Sequence, residues 1–371
     1  MKRGWLIFLC AACLCLSGCA AGSGGGDKPA LPQPESTPSR TQGTSAAQLV
    51  PERLSKNESG VPMLRVYDVK SETLETLSVE DYLPAVLAGE MAGDWPLEAL
   101  KAQAILARTF VLQFVSQKES MYDGADISTD IKEAQAYDAA GVNARIREAV
   151  KETRGEVLNA GGELPYAWFH AHSGGLTARA KEGLDYEKAE PGYTQCVKGM
   201  ENDEAPAEAA HWQASFSMDE VMAAAKASGV TVDKVESIAI GQRGESGRAK
   251  TLLISGKSVS APAFRIAIGS TKMRSCLLES LRVEDGQVQM SGKGYGHGVG
   301  MSQWGAYAMA KEGRTAEEIV THYFNGVSID QAWEGKARRK GVCPFRLAFY
   351  FRLSSVRSRI VCHLAKSILG T

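Results

Sequence analysis

Glu90 is the acidic residue whose surroundings could fit it for acid–base chemistry. It lies between Gly89 and Met91, close to Trp95 and near the expected end of a helix. Neighbours of this kind could remove water from the carboxylate and raise its pKa toward the range of a general acid. The alternative is an ordinary solvated glutamate at a helix end, the usual position of this residue type.

A glycine-rich segment, Gly292–Gly305, is the second stretch that could carry chemistry. Glycine lets backbone N–H groups approach a ligand closely. The segment matches neither the Gly-x-Gly-x-x-Gly nor the Walker phosphate pattern. Its polar groups are His297 and Gln303, and Tyr295 and Trp304 offer flat faces for a sugar ring. The alternative is a structural turn with a hydrogen-bonded histidine.

His170 and His172 form the third candidate. On a strand the two side chains point the same way and could bind one metal ion, with Cys196 or His297 as a third ligand. Zinc is therefore possible, although no His-Glu-x-x-His signature is present. The alternative is a hydrogen-bonded pair or a substrate contact. A fourth stretch, His322–Gly326, ends a helix and is expected to serve packing.

The N-terminus has the pattern of an export leader. Lys2 and Arg3 precede a short apolar run that ends at Leu16-Ser17-Gly18-Cys19. The run is too short to span a membrane. Its end resembles the bacterial lipoprotein signal, which implies cleavage after residue 18 and a lipid on Cys19. An ordinary cleaved leader is the alternative.

Charge and composition divide the rest of the chain. The 42 basic and 43 acidic residues nearly balance, but nine basic and no acidic residues follow Glu334. An acidic body with a short basic tail is unlike a nucleic-acid-binding domain, so no nucleic-acid partner is expected. Residues 19–60 predict a disordered tether because large apolar residues are few. Residues 61–333 form the expected catalytic domain, and 334–371 a basic tail.

Apolar periodicity predicts an α+β fold with mixed sheets and helices. Two lobes that form a substrate cleft are a further expectation about the fold. A strand begins at Met63, and Ser78 caps a helix that ends near Met91. A second helix begins at Pro96 and ends near Gln117, with one buried stripe and with Lys101 and Arg108 on another face. The further expected helices lie near 143–153, 217–228, 261 onward, 306–311 and 316–323, and the strands near 74–77, 155–159, 166–172, 235–240, 250–254 and 287–290.

Three separated motifs resemble the stage II sporulation protein D family, which includes the amidase enhancers: Leu83–Thr109, the turn Ser173–Thr177, and Gly294–Ala306. The resemblance implies a lytic transglycosylase that cleaves peptidoglycan glycan strands with Glu90 as acid and base. Lys101, Arg108 and His172 are then expected to bind substrate. Tyr295, His297 and Gln303 are expected to line the same cleft. Such an enzyme needs one carboxylate, because the C6 hydroxyl of muramic acid replaces water as the nucleophile.

The resemblance also carries expectations about partners and location. The partners are peptidoglycan glycan strands, a cell-wall amidase, and the membrane through the lipid anchor, on the extracytoplasmic face of the cell. No cofactor is required. The competing hypothesis is an amidase enhancer that binds glycan without cutting it, and a zinc hydrolase using His170, His172 and Cys196 is the third.

Overall fold

The computed structural model describes residues 46–334. The leader, Cys19 and the tail after residue 334 lie outside the described residues. The helices are α1 Val79–Glu90, α2 Leu97–Gln117, α3 Ala144–Glu152, α4 Ala180–Gly183, α5 Ala207–Ala210, α6 Met218–Ala227, α7 Ala261–Ile268, α8 Gln303–Lys311 and α9 Ala316–Tyr323, preceded by a 3₁₀ turn at Ala46–Leu49. The strands are β1 Met63–Asp68, β2 Thr73–Ser78, β3 Ile127–Ser128, β4 Glu156–Asn159, β5 Phe169–His170, β6 His211–Ser217, β7 Ile238–Ile240, β8 Thr251–Ile254, β9 Lys257–Ser260, β10 Leu278–Glu284, β11 Gln287–Lys293, β12 Met301–Ser302 and β13 Ser328–Gln331.

The strands form several small sheets, so the expected α+β class with mixed sheets is confirmed. Their orders are β2-β1-β3, β10-β11-β6, β7-β8-β9, β12-β5 and β13-β4. The pairs β1-β3 and β12-β5 are parallel, and the other pairs are antiparallel. The strand expected over 166–172 is only two residues long. It pairs with β12 through Phe169 and His170 alone.

Local capping sets where several helices begin. The Ser78 side chain accepts the Asp81 N–H at the start of α1, as the sequence predicts. Complete capping boxes open α6, through Ser217 and Glu220, and α9, through Thr315. Helix α2 begins at Leu97, one residue later than expected, with Pro96 as its N-cap. The starts of α1, α6 and α9 are therefore set by residues adjacent in sequence.

Helix α2 is buried on nearly every side, which corrects the prediction of one apolar stripe. Its buried residues run almost without interruption from Ala99 to Val115. Helices α1, α3, α8 and α9 and strand β4 pack around it in one hydrophobic cluster. A second cluster lies among α6, α7 and strands β6 to β11, around Phe216 and Phe264. A central helix in contact with neighbours all round needs no polar face.

Arg108 is part of this interior and is fully buried. Its guanidinium donates to both carboxylate oxygens of Glu80, at 3.1 and 2.9 Å, and to the carbonyl of Glu156 at 3.0 Å. Glu80 also accepts the Gly155 N–H at 2.9 Å and the Trp333 indole N–H at 3.0 Å. One buried ion pair thus links α1, α2, β4 and the last described turn.

The tether predicted over 19–60 is too long at its C-terminal end. Leu49, Val50 and Leu54 are buried in the α2 cluster. Arg53 donates to the carbonyls of Val115 and Lys118 at the end of α2, at 2.8 and 2.9 Å. These three apolar side chains and this arginine attach the segment to the α2 cluster, although its overall composition is polar.

None of the described helices is both long enough and apolar enough to cross a membrane.

We expect Arg108→Met to lower the free energy of unfolding by about 3–5 kcal/mol, because it leaves the Glu80 carboxylate buried without its cation. Lys101→Met is the control on the same helix. Lys101 pairs with Glu98 and Glu152 and is partly exposed, so its loss costs about 1 kcal/mol or less. Urea unfolding of both variants measures the difference, and equal losses would contradict a structural role for Arg108.

Candidate active site

Glu90 is the last residue of α1, and its side chain faces a small pocket. The residue is 3% exposed. About 300 Å³ of space inside the pocket is not filled by atoms, part of it continuous with solvent. Eight residues from several separate segments of the chain line it: Glu90, Phe110, Ala134, Gln135, Ala167, Trp168, Phe169 and His297.

Two neighbours hold Glu90 in place. Its Oε1 accepts the Ala136 N–H at 2.8 Å, and the Gln303 side chain donates to its backbone oxygen at 3.2 Å. Gly89 makes the first contact possible. A Cβ there would lie 2.7 Å from the carbonyl carbon of Ala136 and the nitrogen of Tyr137. The segment around Ala136 can therefore reach the carboxylate only because residue 89 is glycine.

Burial raises the pKa of the Glu90 carboxyl to about 7, against hydrogen bonds from Ala136 and Gln303 that lower it. Its position at the helix C-terminus also disfavours negative charge, since the helix dipole is negative there. The desolvation that the sequence suggested is thus present. A carboxyl with this pKa can hold a proton near neutral pH and release it again, as a general acid and base must.

The histidines beside Glu90 are neutral. Burial, with the positive charges of Arg265 and Arg248, lowers the pKa of His297 to about 3. Its Nδ1 accepts the Val299 N–H at 3.0 Å. The His170 ring lies 5.9 Å away, and burial also holds its pKa well below the ordinary value. Among the residues that line the pocket in the described chain, Glu90 is therefore the group whose charge changes near neutral pH.

The glycine-rich segment packs against the protein itself, rather than offering N–H groups to a ligand as expected. Four alternate glycines have φ values of +77°, +112°, +84° and +71°. This left-handed region strongly favours glycine. A Cβ at these positions would strike, in order, the His172 carbonyl, the His170 side chain, the Arg248 guanidinium and the Trp168 carbonyl. The glycines are Gly294, Gly296, Gly298 and Gly300.

Gln303 is placed by the helix that follows this segment. The Ser302 side chain accepts the Gly305 N–H and caps α8, whose first residue is Gln303. Glu201 accepts the Ser302 hydroxyl at 2.5 Å and the Ser173 N–H at 2.5 Å. The buried carboxylate of Glu201 thus joins the 173–177 turn to the start of α8.

Of the expected substrate-binding residues, His297 lines the pocket and Gln303 touches Glu90. The structure does not bring Lys101, Arg108, Tyr295 or His172 to the pocket lining. His172 and Tyr295 pair through their backbones, with N–H to oxygen distances of 3.0 and 2.8 Å. The Tyr295 ring lies against the Arg274 guanidinium, whose central carbon is 5.2 Å from the ring centroid.

His170, His172 and Cys196 do not form a metal site. Nowhere in residues 46–334 do three His, Cys, Asp or Glu side chains come together so that they could hold a metal ion. The His170 Nδ1 lies 3.1 Å from the Val299 carbonyl, and the His172 Nδ1 accepts the Gly174 N–H at 3.0 Å. Burial raises the pKa of the Cys196 thiol, which disfavours the thiolate that metals bind. This part of the chain gives the zinc hypothesis no support.

Sequence reasoning missed several residues of the site. Gln135 lies in a loop without periodicity, where no pattern marks it. Trp168 belongs to a stretch that was noticed for its histidines, and its ring stacks on Tyr166 with centroids 4.8 Å apart. Arg248 is fully buried and donates to the carbonyls of Leu176 and Ser173, at 2.7 and 2.5 Å. No sequence signal distinguishes it from surface arginines.

Comparison with known proteins decides the family. A family model described as stage II sporulation protein matches residues 67–159, and one described as a domain of unknown function matches 189–300. Stage II sporulation protein D of Bacillus amyloliquefaciens is 30% identical over 72% of this chain and 78% of its own. The chain belongs to the stage II sporulation protein D family. The first matched range contains Glu90 and the second contains His297, so the pocket combines residues of both.

Two further relatives come from Bacillus subtilis strain 168. Its stage II sporulation protein D is 29% identical over 78% of this chain and 84% of its own. Its amidase enhancer is 28% identical over 67% of this chain and 40% of its own. Members of the sporulation protein D family thus carry both a sporulation and an amidase-enhancer name.

We expect Gly89→Ala to lower the free energy of unfolding by about 1–3 kcal/mol, because the added methyl group must displace the backbone around Ala136. Gly192→Ala is the matched control, since a Cβ at that position meets nothing within 4 Å. Its effect should stay within about 0.5 kcal/mol. Urea unfolding tests both variants, and two equal effects would show that the helix and the loop are not in close contact.

The Glu90 carboxyl should make the protein less stable as pH rises. Its pKa is higher in the folded state than its ordinary value of 4.5, so the unfolded chain loses this proton first. Stability therefore falls from about pH 4.5 to about pH 7 and then levels, by about 3 kcal/mol. Glu90→Gln has no titrating group at this position. In urea unfolding, its free energy of unfolding relative to wild type should therefore rise by that amount between pH 4.5 and pH 8.

Glu201→Gln is the control of opposite sign. Burial would raise the pKa of Glu201, but His172 and hydrogen bonds from Ser302 and Ser173 outweigh it, and the pKa is lowered. Its ionised form stabilises the fold above the ordinary pKa, and this contribution is lost as pH falls. Relative to wild type, Glu201→Gln should be worse at pH 8 than at a pH well below 4.5, where this contribution is lost. The same trend for both variants would contradict the assignment of charge states.

Proposed function

We propose that this protein is a peptidoglycan lytic transglycosylase. It cleaves the bond between N-acetylmuramic acid and N-acetylglucosamine in cell-wall glycan strands and leaves a 1,6-anhydro end on the muramic acid. The observation that carries the proposal is Glu90, buried in a pocket with a pKa of about 7. Among the pocket-lining residues of the described chain it is the single carboxylate.

One carboxylate suffices for this reaction. The protonated Glu90 gives its proton to the glycosidic oxygen as the bond from that oxygen to C1 of the muramic acid breaks. The resulting carboxylate takes the proton of the C6 hydroxyl while the C6 oxygen forms a new bond to C1. No water is added, and Glu90 ends protonated, ready for another cycle. Ordinary glycosidases instead use two carboxylates on opposite sides of the bond.

The rest of the pocket suits a sugar. The Trp168 ring, supported by its stacked neighbour Tyr166, provides an aromatic face beside the acid. Neutral His297 lines the pocket without competing with Glu90 for the proton. Gln303, which holds the Glu90 backbone, positions the acid rather than the substrate.

The second candidate function is enhancement of a cell-wall amidase. The relative named amidase enhancer favours it. In that case the same pocket would bind a glycan strand without cleaving it, and a partner amidase would act on the bound strand. The two functions differ in whether new glycan ends form when no amidase is present.

We further propose that the protein acts outside the cytoplasmic membrane, tethered by a lipid on Cys19, and that it remodels the wall during sporulation. This rests on the leader sequence, which lies outside the described residues, and on the names of the sporulation relatives.

Purified glycan strands treated with the protein should yield 1,6-anhydro ends in mass spectrometry, and Glu90→Gln should lower their rate of release at least about a hundredfold. The rate should also fall as pH rises above about 7, because Glu90 then loses the proton it must donate. Glu236→Gln, an exposed surface change, should leave the rate unchanged.

An unchanged rate in Glu90→Gln would show that Glu90 is not the acid. A wild type that releases no ends, but accelerates an added amidase, would favour the enhancer function.

A further inference from the structure

The side-chain amide of Gln135 is the least satisfied polar group in the Glu90 pocket. Gln135 is 2% exposed, and neither its Nε2 nor its Oε1 has a hydrogen-bond partner within residues 46–334. It is also part of the pocket lining. A buried amide with both ends unpaired lowers stability, so such a group inside a pocket points to a ligand that completes its bonds.

The backbone around Gln135 is held firmly on both sides. Ala134 donates its N–H to the Asp130 carbonyl at 3.1 Å, and Ala136 donates to Glu90 at 2.8 Å. The next residue, Tyr137, stacks on Tyr82 with ring centroids 5.4 Å apart. The backbone that carries Gln135 is therefore held beside Glu90, and a ligand need not order the loop in order to bind there.

We propose that Gln135 binds the acetamido group of the amino sugar beside the bond that Glu90 acts on, and so selects N-acetylated glycan. This deepens the proposed function and rests on it. An acetamido group has one N–H donor, one C=O acceptor and a methyl group. The Gln135 amide offers the complementary acceptor and donor, and Ala134, Ala167 and Phe110 offer apolar surface for the methyl.

A de-N-acetylated sugar would fit the same place badly. Its amine is protonated near neutral pH, and the pocket would remove water from that charge. It would also leave the Gln135 Nε2 without the acetyl oxygen to which it donates. An ammonium close to Glu90 would favour the ionised carboxylate, which cannot act as an acid.

The test is binding, measured by calorimetry, of a tetramer of β-linked N-acetylglucosamine and of the corresponding glucosamine tetramer. Gln135→Met keeps the length of the side chain and removes its hydrogen bonds. Wild type should prefer the acetylated tetramer by at least about tenfold, and Gln135→Met should lose most of that preference. Gln113→Met is the matched control, a buried glutamine with an unpartnered Nε2 in the described chain that lies outside the pocket lining. It should keep the wild-type preference.

Melting temperature separates a binding role from a structural one. If Gln135 serves binding, Gln135→Met should melt at the same temperature as wild type or higher, because it removes an unpaired buried amide. A lower melting temperature together with equal losses for both tetramers would assign Gln135 to the fold and overturn the proposal. An unchanged preference in Gln135→Met would overturn it as well.

Cleavage of glycan strands distinguishes failure of this inference from failure of the proposed function. If wild type forms anhydro ends but Gln135→Met keeps the preference for acetylated sugar, the inference fails and the function stands. If wild type cuts nothing but selects the acetylated tetramer through Gln135, the inference stands for a glycan-binding protein and the enzymatic function fails.

Discussion

Two carboxylates are buried at opposite ends of α1, and the difference in how their charges are balanced governs the rest of the site. Glu80, in the first turn, faces the buried guanidinium of Arg108 and accepts two further N–H groups. Glu90, in the last turn, has one backbone N–H and a glutamine amide, and no cation. The helix dipole stabilises charge at the first position and opposes it at the second. One carboxylate is therefore structural, and the other is free to exchange a proton.

The site is also shaped by backbone segments that pack closely together at glycine residues. Gly89 lets the loop around Ala136 touch α1, and the alternate glycines from Gly294 let another segment lie on residues 168–174. Arg248 sits behind that segment, and its guanidinium contacts the position where a Gly298 side chain would begin. Its positive charge helps to keep His170 and His297 neutral. Close packing and buried charge thus leave Glu90 as the ionisable group of the pocket that matters near neutral pH.

The sequence predicted the parts of this arrangement that depend on neighbouring residues. The cap at Ser78, the end of α2 at Gln117 and the unusual surroundings of Glu90 follow from short segments, and the structure has all three. The sequence did not predict that Arg108 turns inward, because the partner that compensates it lies 28 residues away. The sequence did not predict Gln135 as a pocket residue for a similar reason. Its loop reaches the pocket through contacts with Gly89 and Glu90, and the hydrogen bond from Ala136 to Glu90 spans 46 residues of sequence.

The prediction of a tether was wrong for its last part, residues 46–60, for a different reason. Composition averaged over 19–60 conceals Leu49, Val50 and Leu54, and a few apolar residues suffice when a groove for them already exists. Average composition describes whether a segment can fold alone, not whether it can pack on a folded neighbour.

The desolvation that raises the pKa of Glu90 lowers the stability of the ionised protein, so other interactions in the fold must offset this loss. A shift from 4.5 to about 7 corresponds to about 3 kcal/mol, a large part of the stability of an ordinary domain. The packing around α2 and the Glu80–Arg108 pair lie on the same helix pair as the acid, so they stabilise the element that carries it. A pocket that buries a carboxyl without a neighbouring cation, and that leaves the Gln135 amide without a hydrogen-bond partner in the described chain, depends on such a core for its stability. A ligand that bonded to this amide would regain part of that free energy on binding.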